Sequence, residues 1–153
     1  MNMRRIIAVF ACAAVFMTAA LWWAQVPHEQ ATGNYRQVLA HIGDAAINAD
    51  VSDTEPLREQ GLSGRESLSE KEGMLFVFQE DGMHAFWMKD MLIPIDMIWL
   101  SSDKRVVFIE RNAQPESYPA SFAPPVPSRY VLEVPSGFSD RHAIAVGTTA
   151  TWD

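Results

Sequence analysis

Beyond the N-terminal stretch, apolar residues recur in short runs with a period near two rather than in long helical stripes. Residues 35–40 and 45–51 form the first two runs, and Gly43-Asp44 between them supplies a hairpin turn. Thr54, Pro56 and Gly61 mark a helix cap, a first turn and a stop, so one short helix is predicted there. After Gly73 the apolar content rises sharply. Residues 74–78, 84–89, 95–100 and 105–110 are strand-sized, with Glu80-Asp81-Gly82, Leu92-Ile93-Pro94 and Ser101-Ser102-Asp103 between them. Residues 129–134 and 148–152 complete the series. Pro115, Pro119, Pro124, Pro125 and Pro127 exclude a central strand or a helix interior from residues 112–128. That segment reads either as a stiff crossover connection or as a flap over a site. About seven or eight short strands with one minor helix predict an all-β fold, a β-sandwich or barrel.

The N-terminus has a different pattern. Arg4 and Arg5 precede an apolar run over residues 6–24, broken only by Thr18. A cationic start followed by an apolar core is an export signal, and Thr18 and Ala20 suit a cleavage site after Ala20. The same run, at about 1.5 Å per residue, is also close to the thickness of a bilayer core. Trp22 and Trp23 at its outer end fit an interfacial belt. Residues 1–24 are therefore a signal peptide or an N-terminal membrane anchor, residues 25–34 a polar linker, and residues 35–153 a single domain. On either reading the domain is exported, to the periplasm or cell surface, and touches membrane only through residues 6–24.

Cys12 is the one cysteine of the chain and lies in this leader. The exported part thus has no disulfide and no thiol nucleophile, and must be held by an apolar core. The formal charge is −7, and it becomes −9 once Arg4 and Arg5 are set aside. An acidic domain without a basic stripe is a poor partner for nucleic acid. The expected partner is a small molecule or an envelope component.

Three sets of residues identify a relationship. Gly61-Leu62-Ser63-Gly64-Arg65, Leu68 and Gly73-Met74-Leu75-Phe76-Val77-Phe78 resemble the first signature of the domain-of-unknown-function 192 family. Phe86-Trp87-Met88-Lys89-Asp90 with Ile93-Pro94-Ile95-Asp96 resembles the second, and Tyr130-Val131-Leu132-Glu133-Val134 with Gly137 and Gly147 the closing segment. Ser63 departs from the methionine common in similar sequences, and Asp90 from the usual asparagine. The resemblance spans roughly residues 45–152. It implies a jelly-roll-like sandwich, often exported, and implies no activity.

Polar residues set into apolar strands are the candidates for chemistry. Asp96 sits in a run apolar on both faces, and Glu133 lies between Val131 and Val134. A buried carboxylate needs a partner, and Lys89, Arg65 and Arg58 are the cations at hand. A pocket near Arg65, Trp87, Lys89, Asp96 and Glu133 is the expected ligand site of a small-ligand-binding or accessory domain. The alternative use of the same charges is an ion pair that pins the 61–65 turn to the sheet. Three other readings compete: acid–base hydrolysis or elimination by Asp96 or Glu133, Cu(I) held by His84, Met88 and Met91, and a structural partner-binding module. Strand parity counts against copper, because it sets His84 and Met88 opposite Met91. Trp87, Trp99, Phe76, Phe78 and Phe86 are expected in the core. His28, His41, His84 and His142 lack zinc spacing, and no nucleophile elbow, phosphate loop or dinucleotide fingerprint is present, so no cofactor is expected.

Overall fold

The computed structural model describes residues 35–153, so the predicted leader and linker lie outside the described residues. Nine strands are formed: β1 (Arg36–Ile42), β2 (Ala45–Ser52), β3 (Glu72–Gly82), β4 (Phe86–Trp87), β5 (Ile95–Leu100), β6 (Val106–Ala113), β7 (Ser121–Phe122), β8 (Ser128–Pro135) and β9 (Ala150–Trp152). Among the described residues two short α-helices, α1 (Glu55–Gln60) and α2 (Phe138–Arg141), and a single 3-10 turn (Pro115–Ser117) complete the regular structure. The all-β expectation holds.

Seven strands form one sheet in the order β6-β5-β8-β3-β2-β1-β9, and β4 and β7 form a separate two-stranded ribbon. All pairs within the main sheet are antiparallel except β2 with β3, which α1 connects as a crossover. The sheet curls until its two ends meet. Arg105 bridges Thr149, and amide bonds run from Val106 to the Thr148 carbonyl (2.9 Å) and from Ala150 to the Lys104 carbonyl (2.8 Å). This strand order does not establish the jelly-roll connections that the family resemblance implied.

Alternation divides the apolar residues between two cores. Ile42, Ile47, Val51, Leu75, Ile98, Leu132 and Val134 point into the curl with Phe138 and Ile144. Met74, Phe76, Met97, Trp99 and Val131 lie on the outer face of β3, β5 and β8, under Leu62, Phe86 and Met88. This outer core positions the candidate site.

Residues 84–89, expected as a full strand, form only β4. The chain leaves the extended conformation after Met88: Asp90 is left-handed (φ 55), and the Met91 amide reaches the Met88 carbonyl (3.3 Å). The proline-rich 112–128 segment keeps out of the main sheet, yet it supplies β7, which pairs Ser121 with Trp87. It is thus a crossover from β6 to β8 that also thickens the outer layer.

Gly73 permits the close approach of β3 and β8. A Cβ there would lie 2.7 Å from the Glu133 carbonyl oxygen and 3.2 Å from Ile47. Gly73→Ala is expected to destabilise the fold by about 2–3 kcal/mol through overpacking against backbone that cannot yield. Gly64→Ala meets no atom and only its φ of +76° opposes it, so a smaller loss of about 1 kcal/mol is expected. Urea denaturation of the two variants checks this order.

Candidate functional site

One row of side chains crosses the outer face of the sheet: Gln37, Asp50, Met74, Glu133, Met97 and Glu110 occupy paired positions on successive strands. Glu133 is in the middle of that row, flanked by two methionines, and only 4% exposed. Burial pushes its carboxyl up to about 8, outweighing the Arg65 guanidinium, which pulls the other way. Among the described residues no hydrogen bond contributes to that shift. Glu133 therefore holds a proton at neutral pH.

Above Glu133 opens a cleft of about 460 Å³, walled by Phe76, Phe78, Phe86 and Leu62 and rimmed by Trp87 and Lys89. A second hollow of about 530 Å³ adjoins it and shares Glu59, Gln60, Ser63, Trp87 and Lys89. Two covering segments make the walls. The 61–65 turn is tied to the 88–91 turn by the Ser63 hydroxyl donating to the Lys89 carbonyl (3.0 Å) and the Gly64 amide to the Asp90 carbonyl (2.9 Å). The buried Trp99 indole donates to the His84 carbonyl (2.8 Å) and fixes the start of the other segment. Phe86 then meets Phe76 and Trp99 edge-on, with centroids 4.8 and 5.9 Å apart. At the cleft's outer side the Arg58 guanidinium covers the Phe78 ring at 5.3 Å, and His84 stacks on Phe78 at 3.5 Å.

Three of the five expected site residues, Trp87, Lys89 and Glu133, line this cleft. The other two are engaged elsewhere. Arg65 forms an ion pair with Asp50 on β2 and lies 5.8 Å from the Tyr35 ring. Asp96 faces the other side of the sheet and is sealed. Its carboxylate accepts the amides of Asn112 (2.9 Å), Gly137 (3.0 Å) and Ser139 (2.9 Å), so it pins the β8–α2 turn to β5 and β6. Among the described residues neither Asp96 nor Glu133 has the lysine or arginine ion-pair partner that their burial suggested. Asp96 is satisfied by backbone amides, whereas Glu133 avoids an unpaired buried charge by keeping its proton. The 61–65 turn is held by Arg65 and Asp50 instead.

The copper residues are also separated by role. Met88 is buried in the outer core, whereas His84 and Met91 line the cleft. The His84 Nε2 already lies 3.1 Å from the Glu80 carbonyl. Among the described residues no group of three or more His, Cys, Asp or Glu is placed to hold a metal ion. Trp87, expected in the core, is 56% exposed and meets Tyr118 of the proline-rich segment edge-on at 6.0 Å. Its position next to a β4 residue that does face inward, Phe86, is the alternation that could have indicated this.

The model of DUF192, described as Uncharacterized ACR, matches residues 38–152, from β1 to β9. The chain belongs to the DUF192 family. The matched span contains the curled sheet but for the first two residues of β1, both covering segments and the cleft. This DUF192 chain is similar to a protein of Sinorhizobium meliloti 1021 whose crystal structure is described as that of a provisional transcription regulator. That likeness has 29% identity and a TM-score of 0.74, over 77% of this chain and 95% of the other. A Novosphingobium aromaticivorans DSM 12444 protein of unknown function is similar at 27% identity and a TM-score of 0.75, over 84% and 94% of the two chains. A comparison with curated proteins finds no match. In the DUF192 domain two residues of the site escaped the sequence reading. Asp50 is one of the alternate outward positions of β2, with Ala46, Asn48 and Ser52, and nothing local sets it apart from them, and Tyr118 sits in a segment with no period at all.

Proposed function

We propose that this DUF192 domain is a small-ligand-binding or accessory domain working outside the cytoplasm, and that its ligand enters the cleft floored by Glu133. The observation that carries the reading is Glu133 itself. A buried carboxyl between two methionines, held neutral at the floor of an open cleft, costs stability that a leucine there would not. Such a cost is retained where the group meets something that enters. Apolar walls with one or two polar anchors are the ordinary make-up of a small-molecule site. The export pattern of residues 1–24 supports placing the ligand in the periplasm or at the cell surface.

Binding is favoured over acid–base catalysis because Asp96, the other acid of the catalytic reading, does not share the cleft with Glu133. Asp96 is sealed on the opposite face, and Asp50 is one strand removed from Glu133 and tied to Arg65 and Gln37. A purely structural module would not need the opening beside Lys89. The Sinorhizobium protein is described as a transcription regulator; such a role exercised through contact with DNA calls for a basic surface, and the charge here is −7.

A fragment library of compact organic molecules, screened by NMR against the full chain, tests the reading. Hits are expected to move the Trp87 indole signal and the amides of Ala85 and Lys89, and to lose affinity about tenfold or more in Glu133→Leu, as when a desolvated polar anchor is removed. Hits that cluster elsewhere, or a screen without hits, would overturn it.

A further inference from the structure

We infer that the cleft receives an alkylammonium group, its charged head at the Glu133 carboxylate and its methylenes against the rings of Phe76 and Phe86. The inference rests on the cleft being the binding site and adds the chemical class of what it binds. A group meant only to donate or accept one neutral hydrogen bond needs no ionisable acid, since glutamine serves at lower cost in stability. A carboxyl has an advantage where its charge is used. The walls favour the same class, because aromatic faces attract cations, and in this cleft one does so already: the Arg58 guanidinium over Phe78, at 5.3 Å.

The surrounding charges agree. From α1 the cleft receives Glu55 and Glu59 together with Arg58, which is occupied by Glu55 (3.0 Å) and the Val77 carbonyl (3.0 Å). The 61–65 turn brings Arg65, neutralised by Asp50 of β2. The 84–91 segment brings His84 and Lys89, and Asp90 lines the adjoining hollow. The sheet neighbours of Glu133, Met74 and Met97, carry no charge. Lys89 is the one cation of the rim with no ion-pair partner among the described residues. It is exposed, beside Trp87, rather than at the floor. A cation arriving at Glu133 replaces its proton, so binding releases a proton to solvent wherever the free carboxyl is protonated.

The test titrates the full chain with n-hexylammonium and, separately, with 1-hexanol, following the Trp87 indole signal at about pH 6 and about pH 8.5. Hexylammonium is expected to bind more tightly than hexanol, and its affinity to rise at least about tenfold between the two pH values as Glu133 becomes ionised. Glu133→Gln is expected to fold and to abolish the rise. Nα-acetyllysine amide then distinguishes a peptide lysine from a free amine as the source of the group. Equal binding of alcohol and ammonium with no pH dependence would overturn the alkylammonium inference and leave the cleft as a binding site. No response of Trp87 to either probe would also overturn it, and the fragment screen then decides the cleft independently.

Discussion

Replacing Glu133 by glutamine stabilises the folded chain, and the gain grows as pH rises from about 5 to about 8. The carboxyl titrates near 4.5 in the unfolded chain and at about 8 in the fold, because burial opposes its charge. Below both values the two states are equally protonated, and the acid costs nothing by this route. Between them the fold retains a proton that the unfolded chain has released, so each rise in pH favours unfolding. Above about 8 both states are ionised, and the whole cost of the buried charge is present. The difference of the two values corresponds to about 5 kcal/mol, an upper figure because water entering the cleft screens the charge. Set against a domain stability of about 5–15 kcal/mol, this is a large share. Urea denaturation at several pH values should show the wild-type curve falling across that window and the Glu133→Gln curve changing far less. Parallel curves for the two proteins would mean that the carboxyl is not held neutral in the fold.

Asp96→Ala has the opposite sign and a similar size. The substitution leaves the amides of Asn112, Gly137 and Ser139 without their acceptor, the last of them at a fully buried residue. The expected loss is about 3–5 kcal/mol, enough to unfold a marginal domain at ordinary temperature. Asp96→Asn keeps the shape and one acceptor but turns an NH₂ group toward one of the amides, so about half that loss is expected. In the fraction that stays folded, ligand affinity at the cleft should be unchanged, because Asp96 faces the other side of the sheet. Thermal melts of both variants, with a binding measurement on Asp96→Asn, check this. A folded Asp96→Asn that loses cleft binding would contradict the placement of Asp96 outside the site.

The strands were legible where one face of a run is apolar and both ends carry turn residues. The run 95–100 became β5 without change, and Gly43-Asp44 turned the first hairpin as expected. The run 84–89 failed because its apolar residues serve a covering segment rather than a ladder. Phe86 and Met88 are drawn down onto Trp99 and Phe76, and nothing local distinguishes that from strand alternation. β7 and α2 were missed for another reason: each is short and fixed by tertiary contacts, to β4 in one case and to Asp96 in the other. In the site, local sequence marked Asp96 and Glu133 alike as acids in oily strands. Which of them faces an opening depends on the sheet's two sides, and these follow from a register that the two strands set together. Alternation relates neighbours within β5 or within β8, but it does not say which face of the completed sheet a separate segment will cover.

The seam where β9 meets the start of β6 also shapes how this molecule treats its neighbours. A flat sheet offers two rows of unused amides and carbonyls, on which strands of other molecules can add. Here the three residues Ala150–Trp152, with the turn before them, cover the flank of β1 and the beginning of β6 together. That short strand acts as a clasp, and what it withholds is a template for aggregation.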